Sequence, residues 1–437
     1  MKTNLFCRRV APVAAVVIII MAVCAGFNAH VYAGGYNSVN SDSDIMGDAH
    51  DTDRRLINPW GLVTGTAGDL RVSDEGSGFS TVYAPLGALV NITGTTHAVT
   101  IPQAALHTGT LGLPTGAAEN LFELVTSATG DFVISNGTSS GSARFLYCTE
   151  DGAIAGYRDT VDVNSAIIGP NSADQSANDA GYTGIALSWA GEPVATAANT
   201  TTLAHHLYAA NFRVGVVQVF DHTFTLVALS GSDTFTDPSP PAVPVSAPVG
   251  ATWSPFNIHT LDIPGKNADG KPGTQRRLLV TYALHSGIAP LNDIPGPGYG
   301  FVDIYTPDGA FVRRFVDAGG PLNSPWGIAV SHRPLPKLLN APVVVLVGNH
   351  GDGLIHTFGV FPSDPAKDGK PLGELLNDQK IPLGFDGLWA LHFGRKKISK
   401  EGYNANPGDL FEDFSHLYFS AGIVNEMHGL VGRITFP

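Results

Sequence analysis

The feature that most constrains the fold is a short segment that recurs along the chain. Its clearest copies are Asn58-Pro59-Trp60-Gly61-Leu62-Val63 and Asn323-Ser324-Pro325-Trp326-Gly327-Ile328-Ala329-Val330. Proline lacks an N–H and suits the start of a strand, glycine tolerates a close backbone approach, and the apolar run that follows is typical of a buried strand. With weaker copies included, the glycine or asparagine recurs 55 to 73 residues apart, at Gly61, Gly116, Gly184, Asn257, Gly327 and Gly387. Six copies in series predict six structural units of one kind.

Each unit continues with a second apolar run, and in four units this run ends in Asp or Asn after a small residue. These four runs are Leu70-Arg71-Val72-Ser73-Asp74, Phe132-Val133-Ile134-Ser135-Asn136, Leu207-Tyr208-Ala209-Ala210-Asn211 and Val345-Leu346-Val347-Gly348-Asn349. The fourth and sixth units keep the run but carry Ala283 and Ala421 in place of the polar residue. A third strand follows in every unit, including Ala143–Tyr147 in the second, and a fourth strand closes most units. Four antiparallel strands per unit predict an all-β fold, a six-bladed β-propeller.

The sixth unit lacks a fourth strand, because the sequence stops at Pro437 directly after its third strand. We expect the segment Tyr36-Asn37-Ser38-Val39-Asn40 to supply the missing strand from the other end of the chain. Pairing it there removes two exposed sheet edges and closes the ring.

The first 33 residues differ from the rest of the chain. Lys2, Arg8 and Arg9 precede an apolar run from Val10 to Ala25, and Val31-Tyr32-Ala33 offers the small residues of a signal-peptidase site. This pattern predicts a signal peptide over residues 1–33, one propeller domain over residues 34–437, and a secreted or periplasmic protein that leaves the membrane after cleavage. The apolar run is shorter than a spanning helix requires, although an uncleaved anchor remains an alternative.

Composition excludes some classes of partner. The net charge is −13 and no basic cluster is present, so binding to nucleic acid is not expected. Cys148 is the one cysteine beyond the predicted signal peptide, and its apolar surroundings indicate a buried, unreactive thiol.

Several stretches resemble a family of uncharacterised, exported bacterial six-bladed propeller proteins that is distantly similar to NHL-type propellers. The matching stretches include Leu56-Ile57-Asn58-Pro59-Trp60-Gly61, Gly296-Pro297-Gly298-Tyr299-Gly300-Phe301-Val302-Asp303, Val347-Gly348-Asn349-His350-Gly351-Asp352-Gly353 and Asp386-Gly387-Leu388-Trp389-Ala390-Leu391. The resemblance extends over about residues 36–437. It implies the fold and export, and it implies no activity.

The second strands of a propeller end at one mouth of its channel, so we expect a ring of polar side chains there. The candidates for this ring are Asp74, Asn136, Asn211, His285, Asn349, His350, His392, Glu426 and His428. Carboxylate, amide and imidazole groups together could hold a small polar ligand or a divalent cation, calcium or zinc. Alternatively, Asp and Asn at strand ends cap turns through their own side chains. His285, His350, Glu426 and His428 are more informative, because the repeat does not require them.

Two functions remain open at this point. The first is a secreted, non-catalytic propeller that binds a protein, a glycan or a small polar ligand on one face. The second is a metal-dependent hydrolase or lactonase with its site at the channel mouth. The common sequence motifs of nucleophilic, zinc-dependent and nucleotide-binding enzymes are absent, which favours binding. Trp60 and Trp326 could stack on a sugar, but packing within the propeller is the favoured interpretation.

Overall fold

A computed structural model of the chain describes residues 33–437, except for 66, 86, 91–96, 121–129, 189–204, 230–233, 267–271, 287–291, 339–340 and 396–411. Antiparallel sheets form six blades, which are numbered here in chain order. Blade 1 contains the strands Pro59–Thr64, Leu70–Asp74, Phe79–Tyr83 and Ala98–Thr100. Blade 2 contains Pro114–Glu119, Phe145–Thr149, Ile154–Tyr157 and Ile167–Ile168. Blade 3 contains Tyr182–Leu187, Leu207–Asn211 and Val216–Phe220. A bridge between Phe220 and Leu226 stands in place of the fourth strand of blade 3.

Blades 4 to 6 contain longer strands. Blade 4 contains Thr252–Lys266, Pro272–His285, Gly300–Tyr305 and Phe311–Val316. Blade 5 contains Pro325–Ser331, Val343–Asn349, Ile355–Val360 and Pro371–Leu376. Blade 6 contains Leu388–Arg395, Glu412–Ala421, Leu430–Thr435 and the N-terminal strand Asn37–Ser43. Two short parallel strands flank these sheets, Ala33–Gly34 beside blade 5 and Asp51–Thr52 beside blade 6. In the part of the chain that the structure describes, two 3-10 helices, Ser176–Asn178 and Pro365–Lys367, lie in connecting loops. No helix within the described ranges is long and apolar enough to cross a membrane.

The first strands of successive blades lie side by side, and the first strand of blade 6 lies beside that of blade 1. The sheets therefore close into a ring around one channel, and the predicted six-bladed propeller is confirmed. The expected N-terminal strand is also confirmed, and it is longer than the sequence indicated. Asn37–Ser43 pairs antiparallel with Leu430–Thr435, and the preceding Tyr36 is buried. The predicted signal peptide lies outside the described residues except for Ala33.

The repeated glycine is explained by the close approach of neighbouring first strands. A Cβ atom at Gly61 would lie 2.4 Å from the carbonyl oxygen of Thr115 in blade 2. A Cβ atom at Gly327 would lie 2.6 Å from the carbonyl oxygen of Trp389 in blade 6. No side chain fits in this space, so the glycines let the inner strands pack around the channel.

Two features that the sequence predicted lie at other positions of the chain in the structure: the repeated glycine of blade 6 and the second strand of blade 2. In blade 6, Ala390 rather than Gly387 is the third residue of the first strand, the position that Gly61 and Gly327 hold in their strands. Gly387 lies before the strand at φ 61°, where a Cβ atom would be 2.1 Å from the carbonyl oxygen of Gly422. It is therefore a turn glycine.

The second assignment concerns blade 2. Val133–Ser135 was expected in its second strand but pairs with Ser140–Ser142 in a separate hairpin, and the second strand is Phe145–Thr149. The run before Asn136 has the composition of a second strand but not its pairing. Cys148 lies in the true second strand and is buried, and burial raises the pKa of its thiol to about 12. This agrees with the expected unreactive thiol.

Candidate functional site at the channel mouth

Aromatic side chains from the first strands of blades 1, 4, 5 and 6 meet in the channel. The rings of Trp60 and Trp389 stack with centroids 3.5 Å apart, and Trp326 meets both edge-on at 5.9 and 5.8 Å. Phe256, from the opposite side of the ring, lies 6.5 Å from Trp60. Trp60 and Trp326 are 4% and 3% exposed, which confirms packing as their role. This aromatic plug divides the channel into two parts. The mouth lies where the first strands begin and the second strands end.

A continuous line of hydrogen-bonded polar groups lies over the plug at the mouth. His350 Nδ1 is 3.3 Å from Asp293 Oδ1, and His350 Nε2 is 3.2 Å from Glu426 Oε1. The Asn58 amide donates to Glu75 Oε2 at 2.9 Å and to Glu426 Oε2 at 3.4 Å. The His350 ring stacks on Trp389 at 3.8 Å, so the plug fixes its orientation. Five connecting segments of the chain thus contribute to one network.

The two acidic partners keep His350 charged. Burial by itself would lower the pKa of His350, but Asp293 and Glu426 raise it to about 9. Burial would likewise raise the pKa of Asp293, yet His350 lowers it below its usual value. The ring is therefore an imidazolium at neutral pH, and both of its nitrogens carry protons that face carboxylates.

Glu75, Glu150 and Glu426 lie at this mouth, near enough for their charges to interact. Burial raises the pKa of Glu150 to about 8, with further contributions from Glu75 and Glu426, against an opposing effect of Arg213. Burial and Glu426 also raise the pKa of Glu75, although its hydrogen bond from Asn58 opposes the shift. The carboxyl group of Glu150 forms no hydrogen bond with any residue that the structure describes. The mouth thus concentrates three carboxyl groups, of which Glu426 faces His350 and Glu150 is influenced by Arg213.

The loop that carries Glu426 has an unusual backbone. Val424, Asn425 and Glu426 have φ angles of 57°, 54° and 64°, a left-handed turn of three successive residues other than glycine. Each such residue costs roughly 1–2 kcal/mol, and a β-branched valine there is rarer still. The N–H of Val424 donates to Asp386 Oδ2 at 2.9 Å, which helps to hold the turn. Strain of this kind is concentrated at functional sites, and here it places Glu426 against His350.

On the other side of the mouth lie Arg213 and His285. Arg213 donates to Asp179 Oδ1 at 3.3 Å and to the Glu150 carbonyl oxygen at 3.2 Å, so neither of these hydrogen bonds goes to a glutamate carboxylate. The His285 ring meets the edge of Phe212 at 5.0 Å. Burial, and then Arg213, lowers the pKa of His285, so this imidazole is neutral at physiological pH.

Three of the predicted ring residues are buried below the surface of the mouth. Asp74, Asn211 and Asn349 are each at most 1% exposed. Asn211 Oδ1 accepts the N–H of Gly181 at 3.0 Å, and Asn349 Nδ2 donates to the carbonyl oxygen of Pro321 at 3.0 Å. Burial raises the pKa of the Asp74 carboxyl well above its usual value. Asn211 Oδ1 also accepts the N–H of Val214 at 3.3 Å, so this residue corresponds to the alternative in which Asn caps the turn.

Three other predicted residues lie away from this network. Asn136 belongs to the separate hairpin, where its Oδ1 accepts the N–H of Ser139 at 2.7 Å. His428 Nδ1 lies 2.7 Å from Asp44 Oδ2, beside the N-terminal strand. His392 lies within the first strand of blade 6, on the other side of the plug. Placement of Asn136 and His392 at the mouth was wrong, because neither residue follows the second strand of its blade.

His392 lines a separate cavity of about 190 Å³ in the other part of the channel, together with His259 and Arg395. Burial, and then Arg395, lowers the pKa of His392 to about 3. The N–H of Thr64 donates to His392 Nε2 at 3.3 Å, which requires an unprotonated nitrogen there. This histidine is neutral and serves the packing of blade 6 against blade 1.

Sequence reasoning missed Glu75, Glu150, Arg213, Asn58 and Asp293. A signal for the first two was present, since Glu75 and Glu150 directly follow the second strands of their blades, as His350 does in blade 5. The misplaced second strand of blade 2 concealed this regularity. Among the described residues, no three His, Cys, Asp or Glu side chains come together as a metal site, so the suggested calcium or zinc has no preformed ligand set there.

Comparison with known proteins shows relatives without an assigned activity. No protein-family model matches the chain. Two uncharacterised proteins of Acanthamoeba polyphaga mimivirus are each 28% identical to it, one over 90% of this chain and 78% of the viral protein, the other over 91% and 84%. These relatives are viral, so they give no support to the exported bacterial family that the sequence resembles.

Solved structures with a similar arrangement include regucalcin, a calcium-binding protein from Agrobacterium tumefaciens, at 10% identity and a TM-score of 0.41, covering 88% of this chain and 92% of that one. A virginiamycin B lyase from Staphylococcus aureus is similar at 8% identity and a TM-score of 0.39, covering 92% and 99%. At these scores the similarities carry no argument about function, and the fold rests on the sheet pairing described above.

Proposed function

We propose that this propeller binds a small ligand with a cationic, hydrogen-bond-donating group at the channel mouth. The observation that carries the proposal is that the Asn58 amide donates to both Glu75 and Glu426, while burial and the neighbouring glutamates raise the pKa of Glu75 and of Glu150. A primary ammonium group has three donors and one charge, so it can bridge several carboxylates at once. The strained turn at Glu426 supports the same interpretation, because an unfavourable backbone conformation is retained where it directs a carboxylate into the mouth.

The state of His350 supports binding rather than catalysis. Its pKa of about 9 leaves it protonated at neutral pH, with carboxylates opposite both nitrogens. An imidazolium in this arrangement has no lone pair with which to act as a general base. It orients Glu426 and limits the negative charge of the site, so that the mouth is selective for a single cationic group.

Glucamine and sorbitol form a matched pair of probes, because they differ only by an amine in place of a hydroxyl group. We expect glucamine to bind in isothermal titration calorimetry and sorbitol to bind far more weakly. Affinity should rise as pH increases through 8, because Glu150 must lose its proton to bind the ammonium group. Glu150→Gln should weaken glucamine binding by about tenfold or more, the usual effect of losing a charge-assisted contact.

Calcium chloride provides a further arm of the same experiment. Saturable calcium binding that Glu150→Gln abolishes would replace the ammonium proposal with a metal site. Equal binding of glucamine and sorbitol, or equal glucamine binding by wild type and Glu150→Gln, would refute the ammonium proposal.

We also propose that the chain is exported before it binds this ligand. The support is the basic, then apolar, then small-residue pattern of residues 1–33. Expression of the full chain in a secreting bacterium, followed by N-terminal sequencing of the product, should give a mature protein that begins at Gly34. A product that keeps Met1 and stays in the cytoplasm would overturn this part.

A further inference from the structure

We propose a second binding site, for a small uncharged alcohol with an apolar ring, in the part of the channel on the other side of the aromatic plug. This histidine cavity has a volume of about 190 Å³, and His259 and His392 lie in its wall. The plug separates it from the mouth, so the proposal stands independently of the function proposed above.

The two histidines occupy the same position of the repeat. His259 comes three residues after Phe256, and His392 comes three residues after Trp389. The rings of Phe256 and Trp389 meet in the plug with centroids 6.0 Å apart. Three residues of a strand span about 10 Å, so both imidazoles lie at one depth below the plug, where His259 influences the pKa of His392. Blades 1 and 5 carry an aliphatic residue at this position, so the repeat does not require an imidazole there.

His259 presents a hydrogen-bond acceptor to the cavity. Its Nδ1 lies 2.6 Å from the carbonyl oxygen of Thr260, which can only accept, so Nδ1 carries the proton. Burial lowers the pKa of His259, so the ring is neutral at physiological pH and Nε2 keeps its lone pair. Nε2 forms no hydrogen bond with any residue that the structure describes, and it retains accessible surface.

His392 presents a hydrogen-bond donor. Its Nε2 accepts the N–H of Thr64, so the neutral ring carries its proton on Nδ1. Within the described part of the chain Nδ1 has no hydrogen-bond partner, and it also retains accessible surface. Because His259 and His392 lie in first strands, which surround the channel, this free acceptor and this free donor face the channel.

A hydroxyl group fits this pair, because it donates one hydrogen bond and accepts another. The rest of the wall is mainly aliphatic and includes Leu62, Ile185, Leu187, Ile258, Ile328 and Leu391. An apolar cavity of about 150 Å³ holds benzene, so about 190 Å³ admits a six-membered ring with one substituent. The cavity thus matches a ring that carries one hydroxyl group.

The charged groups of the wall already have partners within the protein. Arg395 donates to Glu119 Oε2 and, at 3.2 Å, to the carbonyl oxygen of Thr64. The Glu119 side chain is 1% exposed and also accepts from Arg144 Nη2 at 2.7 Å. Since the carboxylate is enclosed and both imidazoles are neutral, the cavity favours an uncharged ligand over an ion.

Isothermal titration calorimetry of the full chain with phenol tests the proposal, since phenol is uncharged at neutral pH. Toluene is the matched compound without a hydroxyl group, and sodium benzoate is a charged compound of similar shape. We expect one saturable site for phenol, and binding weaker by about tenfold or more for toluene and benzoate.

Two variants address the hydrogen bond and the volume separately. His259→Phe keeps a ring of similar size but removes the acceptor, and it should weaken phenol binding by about tenfold. Ala118→Leu leaves both histidines in place and fills part of the cavity, so it should abolish phenol binding. A cooperative thermal transition shows that each variant is folded, and Ala118→Leu decides the matter if His259→Phe is not.

His356→Phe is the matched control. His356 is 6% exposed and burial lowers its pKa, as for His259, but it lies in the third strand of blade 5, outside the cavity. This variant should bind phenol as the wild type does. Absence of saturable phenol binding in wild type, toluene or benzoate binding as tight as that of phenol, or equal phenol binding by wild type and Ala118→Leu would overturn the histidine cavity as a binding site.

Discussion

Substitution of Gly61 by alanine tests whether close contact between first strands sets the geometry of the ring. The new Cβ atom would lie 2.4 Å from the Thr115 carbonyl oxygen and 2.8 Å from the Ala117 nitrogen. Both are backbone atoms of blade 2, so no side chain can rotate away. An ordinary contact requires about 3.4 Å, and the two inner strands must therefore separate by about 1 Å at a point where the ring is closed.

Overpacking of this kind costs about 1–3 kcal/mol, and the reduced freedom of the unfolded chain returns about 0.4–1 kcal/mol. We therefore expect Gly61→Ala to lower the free energy of unfolding by about 1–2 kcal/mol. Equilibrium urea denaturation measures this as a lower midpoint at unchanged slope.

Gly265→Ala is the matched control, because Gly265 also lies in a first strand but its Cβ would meet only the Gln275 side chain, at 3.4 Å. This variant should be neutral or slightly more stable. If Gly61→Ala is as stable as the wild type, or more so, close strand contact does not explain the repeated glycine.

Three further predictions concern the closure, the plug and the mouth. Removal of residues 34–43 should lower the free energy of unfolding by several kcal/mol, because it unpairs the strand Leu430–Thr435; an unchanged denaturation midpoint would contradict ring closure. Trp326→Ala should cost about 3–5 kcal/mol, whereas the half-buried Trp253→Ala should cost clearly less in the same thermal denaturation series. The charged form of His350 contributes fully to the free energy of unfolding below pH 6.5, and this contribution is lost as pH rises through 9. The stability of His350→Gln should therefore not fall in this way between pH 6.5 and 9. Parallel plots of stability against pH for the variant and the wild type would contradict this prediction.

The viral relatives provide a separate setting for the same questions. They cover most of this chain at 28% identity, and they are uncharacterised. A glucamine titration on one of them would show whether ligand binding at the mouth is shared by these proteins or belongs to this chain alone.

The sequence by itself determined the number of blades and how the ring closes. The segments around Trp60 and Trp326 mark the starts of inner strands through local properties, namely proline geometry, glycine size and an apolar run. Such properties act over a few residues and can be recognised without a structure. The same holds for the strand Asn37–Ser43, which the incomplete sixth unit required.

Only the tertiary structure decided the composition of the site. Asp293 and His350 are 57 residues apart, and Asn58 and Glu426 are 368 apart, so no local pattern relates them. Local pattern also misled in blade 2, where the run before Asn136 has strand composition but pairs elsewhere. The physical reason is that strand formation depends on short-range backbone preferences, whereas a binding site depends on which side chains the closed ring brings together and on how burial shifts their charges.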